Sequence, residues 1–202
     1  QKGQILYQGQ MTREIAHKTD QLIVVEGYMD VISLAEVGMS NAVAPLGTAL
    51  TEGQIRELWK FSTEPIICFD GDSAGMRAAA RASDRLLPML EPGFSARFAS
   101  LPPGEDPDDI VRRGGANNFR ELLETSTGLS DFFWETEKSN GSLDTPEKQA
   151  AFFKRIRKRV GEIKNQTVRA AYKDSIEAKI INFRASMRAV NNGTEGPYNY
   201  YS

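Results

Sequence analysis

The apolar positions of this chain change period partway along it. Up to about residue 115, short apolar runs alternate with segments patterned for one helical face; beyond it only the helical pattern continues. Residues 21–26, QLIVVE, are apolar and β-branched and predict a buried strand. GYMDVISLAEVG follows, with Val31, Leu34 and Ala35 spaced for one helix face and Gly38 as the stop. NAVAPLG predicts a short second strand and turn. Thr51 stands three residues before Gln54, a capping box that opens the helix EGQIRELWKF, with Ile55, Leu58 and Trp59 inward. EPIICFD predicts a third strand, SAGMRAAARASDRLLPML a long helix, and SARFAS a fourth strand ending at LPPGEDPDD. Alternating strands and helices imply an α/β fold, a mostly parallel sheet flanked by helices. Right-handed crossovers restrict its topology.

The remainder predicts a C-terminal helical bundle: NNFRELLET, LSDFFWETEK, then PEKQAAFFKRIRKRVGEI and NQTVRAAYKDSIEAKIINFRASM. A polar break, SNGSLDT, separates the second from the third, and Pro146 suits the first helical position after the Asp144–Thr145 caps. The tail NNGTEGPYNYYS has no periodicity and is expected to be disordered.

Composition narrows the chemistry. The 202 residues carry a formal net charge of -2, so no overall basic signature marks a nucleic-acid partner. One cysteine, Cys68, lies in an apolar run and reads as a buried strand residue. With one Cys and one His, His17, a Cys/His zinc site within the chain is excluded. No apolar run reaches membrane-spanning length. The start, QKGQILYQGQ, has neither an initiator Met nor a signal peptide, so a piece of a longer, cytoplasmic chain is expected.

Three acidic clusters then follow strand ends or turns: Glu26 and Asp30, Asp70 and Asp72, Asp106 and Asp108. Ligands of open α/β sheets bind outside the carboxyl ends of the strands, so these loops would bring the carboxylates together. Crowded carboxylates repel unless a cation joins them, and hard oxygen ligands suit Mg²⁺ or Mn²⁺. Each cluster also has a plainer explanation. Glu26 fits a first-turn helix charge, Asp70-Gly71-Asp72 a turn, and Asp106 an N-cap with Pro107 at the first helical position. Arg77, one turn into the helix after Asp72, is placed either for phosphate or for solvent. The basic run from Lys154 to Arg159 reads as a solvated helix face or a backbone track.

VVEGYMDV, LGTALT, CFDGDSAGMRAA and GEDPDD, in this order, resemble the Toprim domain of DnaG-type bacterial DNA primases. KGQILY resembles the KGxxLY segment ahead of that domain, and SLDTPEKQAAFFKRIRKRVGEI the helical subdomain behind it, so the likeness runs from Lys2 to about Arg184. It implies a Toprim-type fold and four divisions: residues 1–20 ending an N-terminal polymerase-core subdomain, 21–115 Toprim, 116–188 helical subdomain, and 189–202 tail. It implies Glu26, Asp70 and Asp72 as catalytic and metal-binding acids, with Asp106 and Asp108 as further metal ligands. Lys2, Asp30 and Arg77 would serve nucleotide or nucleic acid.

The activity so implied is synthesis of short RNA primers on single-stranded DNA from ribonucleotide triphosphates, by nucleotidyl transfer with Mg²⁺ or Mn²⁺. A replicative helicase would be a partner through a domain expected outside the chain, as would a zinc-binding domain. A monomer with no membrane association is expected, and weak or no activity alone. Toprim-type nucleases and topoisomerases would use the same acids, and a non-catalytic nucleic-acid-binding module is a further alternative. EGYMDV and the Asp106–Asp108 segment favour the primase.

Overall fold

The structure, a computed structural model, describes residues 6–7, 12, 15–16, 19, 21–45 and 49–193. Lys2, His17, residues 46–48 of LGTALT and the tail beyond residue 193 lie outside the described residues. Six strands are found among those described: β1 (Leu6–Tyr7), β2 (Ile23–Val24), β3 (Ala42–Pro45), β4 (Ile66–Phe69), β5 (Arg97–Ser100) and β6 (Thr127–Gly128). The helices are α1 (Tyr28–Glu36), α2 (Glu52–Leu58), α3 (Ser73–Leu86), α4 (Pro107–Glu124), α5 (Leu129–Ser139), α6 (Pro146–Val160) and α7 (Gln166–Gly193). The last helix therefore runs further into the expected tail than periodicity alone suggested.

The sheet order is β1-β3-β2-β4-β5-β6. β3, β2, β4 and β5 are parallel, while β1 and β6 close the edges antiparallel. Successive side chains on a strand point to opposite faces, and both faces here are buried, which explains why the strands read as continuous apolar runs. Val24, Val43, Ile67 and Phe98 face one way, against Ile55 and Leu58 of α2 and Ala82 and Leu86 of α3. Ile23, Ala42, Ile66 and Cys68 face the other way, against Val31 and Leu34 of α1 and Ile110, Val111 and Phe119 of α4.

β3 lies on one side of β2 and β4 on the other. The chain leaves β2 leftward across one face and returns rightward across the other, as a uniform crossover hand requires. The order thus reverses between β2 and β4, and a crevice opens at their carboxyl ends.

The helical bundle shares the α2–α3 side of the core. Phe133, Trp134, Phe152, Phe153, Ile156, Ile176 and Ile180 belong to the same buried cluster as Val24 and Ile67. Phe132 stacks on Phe98 of β5 with ring centroids 3.9 Å apart. Glu137, buried on α5, meets Arg155 at 2.7 Å and Arg159 at 3.1 Å, both from α6. Arg159 also reaches Asp84 on α3 at 2.6 Å. Much of the basic run on α6 is therefore tied within the molecule. Thr145 caps α6 through the N–H of Lys148, with Pro146 in the first turn as its sequence requires.

Helix α4 bends at Gly115, whose φ of 70° lies in the left-handed region that glycine adopts without strain. The separate helix expected from residue 117 is the second half of this bent one.

Candidate active site

β2 delivers Glu26 to the crevice directly after buried Val25. β4 delivers Asp70 beside it, and the Asp70 backbone N–H donates to Glu26 Oε1 at 3.2 Å. Asp30, in the first turn of α1, lies beneath them and is 8% exposed. Its Oδ2 accepts the N–H of Gly27 at 2.9 Å.

Asp72 begins α3. One of its oxygens, Oδ1, accepts the N–H groups of Ala74 at 2.8 Å and Gly75 at 2.7 Å. Its other oxygen has no protein donor among the described residues. The turn between the two aspartates is fixed from outside: Gly71 N–H donates to the Glu105 carbonyl at 2.9 Å, and Gly104 N–H returns to Gly71 O at 3.1 Å. A side chain on Gly71 would collide with the Pro102 carbonyl. The DGD turn and the loop after β5 thus form one unit, which carries the third acidic cluster to the same crevice.

Asp106 caps α4. Its Oδ1 accepts the Asp109 N–H at 2.8 Å, and Asp109 Oδ2 accepts the Asp106 N–H at 3.2 Å. The capping and clustering readings of these acids are therefore compatible. Asp108 points elsewhere: its carboxylate pairs with Arg112 at 2.9 Å.

Electrostatics joins the cluster more tightly than these bonds alone. Burial, then Asp70 and Asp72, push the Glu26 carboxyl above its usual range, with Arg81 acting against them. Burial and the charges of Asp106, Asp72 and Asp109 raise Asp70 likewise. Asp30 is pushed up to about 6, by burial first and then by Asp70, Asp106 and Glu26. Asp70 Oδ1 is buried and has no hydrogen-bond partner among the described residues. A buried carboxylate oxygen without a donor is costly. Among the described residues, no group of three acids, His or Cys is arranged to hold an ion in this side-chain arrangement. The oxygen donors nevertheless fit a hard divalent cation, because orphaned Asp70 Oδ1 and the unbonded oxygen of Asp72 belong to one cluster short of positive charge.

Arg77 is exposed on α3 and pairs with no carboxylate among the described residues. It lines a cleft of about 380 Å³ with Asp70 and Gly71, together with Thr136 of α5 and Asn140 just after that helix. Two contributors escaped the sequence reading. Asp109 acts on Asp70, and Arg81 lines a cavity with Glu26. Arg77, Arg81 and Arg85 follow each other at four-residue spacing, a row on one helix face that could have revealed Arg81.

The family model described as Toprim-like matches residues 23–111, the four parallel strands with the acid cluster. A second, the DnaB-helicase binding domain of primase, matches residues 130–179, within the helical bundle. A DNA primase of Rickettsia bellii is 37% identical over 172 residues, covering 85% of this chain and 29% of that protein. The crystal structure of a DNA primase domain from Pseudomonas aeruginosa superposes with a TM-score of 0.82 at 37% identity, covering 89% of this chain and 56% of that one. The chain belongs to the DnaG-type primase family.

The structure of a DnaG primase catalytic domain bound to ssDNA is similar at a TM-score of 0.80 and 34% identity, covering 89% of this chain and 57% of that domain. The chain thus spans under two thirds of the primases it matches. The second family match corrects one expectation. The helicase-binding part was placed outside the chain, yet residues of α5, α6 and α7 carry the match to that primase domain. No helix among the described residues is long and apolar enough to cross a membrane.

Proposed function

We propose that the crevice between β2 and β4 is the nucleotidyl-transfer centre of a primase, making short RNA primers on single-stranded DNA. The observation that carries this reading is the half-buried Asp70 carboxylate, whose Oδ1 is buried. One of its oxygens lacks a donor, and Glu26, Asp72 and Asp106 crowd it with like charge. Such a cluster is stable only with protons or a cation. Glu26, Asp70 and Asp72, with Asp106 at its rim, would hold Mg²⁺ or Mn²⁺. Bound there, the cation supplies neutralisation of phosphate charge and a lowered pKa for an attacking sugar hydroxyl. Glu26 is held against the Asp70 backbone, Asp72 by the start of α3, and Asp106 by its cap, so the ligands are placed before substrate arrives.

Arg77 stands at the cleft beside Asp70, where a guanidinium can meet phosphate. Asp108 is a metal ligand only if it leaves Arg112, so its contribution is the weakest of the acids. Lys2, resembling a lysine near the incoming nucleotide, completes the set of cations in this reading. The single-stranded DNA in the related catalytic domain supports a DNA template. The match over residues 130–179 supports a helicase contact by the helical bundle.

Calorimetric titration with Mn²⁺ tests the centre. The parent should bind and an Asp70→Ala/Asp72→Ala variant should not; equal binding would remove the assignment. Primer synthesis is tested in the chain restored to the length of its relatives. It should make short RNA from ribonucleotides on single-stranded DNA and leave DNA uncut when nucleotides are withheld. Metal-dependent cutting without nucleotides, lost in Glu26→Gln, would instead establish a nuclease.

A further inference from the structure

At the opposite, amino-terminal end of the strands lies a pocket unlike the acid cluster. Trp59, just after α2, and Phe94, just before β5, meet with ring centroids 5.5 Å apart at 51°. The indole N–H of Trp59 donates to the Ser95 carbonyl at 2.8 Å, so the ring is locked in place. Phe94 is 37% exposed. These rings share a cavity of about 410 Å³ with Arg56, Lys60 and Lys164. A single carboxylate, Glu91, also lines it, and that group already accepts the Asn165 side-chain amide at 2.6 Å.

The charge balance of this pocket is positive in a chain whose net charge is -2. Arg56 and Lys60 make exposed pairs with Glu52 and Glu57 on their own helix. Exposed pairs of this kind are weak, so both cations can turn to a ligand. Lys164 has no ion pair among the described residues. A rigid aromatic wall with cations beside it suits a flat base carrying phosphate: the ring takes the base by stacking, and the cations take the charge. The volume falls in the range of small-molecule sites.

We propose that this pocket binds a nucleotide unit, its base against Trp59 and Phe94 and its phosphate among Arg56, Lys60 and Lys164. A long backbone track is not favoured, because the cations ring one cavity instead of forming a line. An acidic peptide would satisfy the cations but gives no reason for two aromatic faces. The site is independent of the acid cluster and needs no divalent metal.

Trp59 is its own reporter. The chain has two tryptophans, and Trp134 is buried in the bundle. In the 202-residue chain carrying Trp134→Phe, with chelator present, fluorescence is followed during titration with adenosine diphosphate and, separately, a short oligodeoxyadenylate. Saturable quenching by either is expected, the first identifying a free nucleotide and the second a residue of a strand. Lys60→Glu/Lys164→Glu should weaken it by about ten-fold or more. Phe94→Ala should weaken it too, with circular dichroism confirming that both variants stay folded. Asp70→Asn/Asp72→Asn should leave it unchanged, which separates this site from the proposed catalytic centre. The proposal is overturned if neither ligand quenches, if the charge-reversed variant binds as well, or if inorganic phosphate binds as tightly as the diphosphate. Saturable binding of an acidic, phenylalanine-bearing peptide but not of nucleotide would replace it with a protein partner.

Discussion

The carboxylate of Glu26 accepts the backbone N–H of Asp70 at 3.2 Å, across 44 residues of chain. This bond joins the ends of β2 and β4 at the reversal of strand order. It requires an acceptor oxygen, not a charge. Glu26→Gln should keep the bond and relieve repulsion from Asp70 and Asp72, raising the metal-free Tm by about 2 °C. The same variant should lose most Mn²⁺ affinity. A fall in Tm of several degrees in chelator would show that the charge itself supports the fold.

Gly75 lies where α3 passes over this bond. A Cβ there would stand 2.7 Å from Glu26 Oε1 and 2.8 Å from the Asp70 nitrogen, and would also strike the Asp70 carbonyl. Backbone cannot yield as a side chain does. Gly75→Ala should cost about 1–3 kcal/mol in denaturant unfolding despite alanine's better helix propensity. A neutral or stabilising result would mean that α3 can shift away from β4 freely.

The pH dependence of stability follows from Asp30. Its folded pKa is raised to about 6 from an ordinary value of 3.8, so the folded state binds the extra proton between those values. Stability from this group is full below the unfolded pKa and is lost as pH rises through the folded one. Glu26 and Asp70 act in the same direction. Asp30→Asn should therefore be more stable than the parent above about pH 6, with the gap closing toward pH 4. Thermal melts in chelator across this interval decide the matter, and a gap that widens on acidification would contradict it. At pH 6 the parent should also release protons as Mn²⁺ binds, visible as a buffer-dependent calorimetric heat.

Glu137 anchors the bundle as a buried charge between two arginines. Removing both partners strands it. Arg155→Ala/Arg159→Ala should destabilise by about 3–5 kcal/mol, well beyond the loss from Glu137→Gln, which leaves the more exposed arginines with water. Chemical denaturation of the two variants compares them directly. Equal losses would mean that packing of the arginine stems, not burial of the carboxylate, holds the helices.

Much of this fold was legible because local and tertiary demands agree. Ile66, Ile67, Cys68 and Phe69 are buried on alternating faces, so their run is apolar throughout. Thr51 and Gln54 form the cap that their spacing announces. The edge strands β1 and β6 were not foreseen, since two residues carry no period. At the site, motif order brought out Glu26, Asp70 and Asp72. Asp109 reads in sequence as a first-turn charge facing the helix dipole, and its field at Asp70 depends on the lashing of Gly71 to Glu105. The pairing of Asp108 with Arg112 is an ordinary four-residue helix contact, which the acidic motif overshadowed.

Gly128 ends β6 and caps α5 at once, and the next residue, Leu129, donates its N–H to the Ala96 carbonyl at 3.1 Å. There is no slack between sheet and bundle at this point. A tug on α5 is delivered to β5 without a hinge, and β5 is the neighbour of the strand that carries Asp70. Whatever grips the helices handles the sheet as well. Anyone exchanging helical segments between relatives should cut in the polar turn near Gly141, where residues 140–142 are exposed, and leave the Gly128 joint whole.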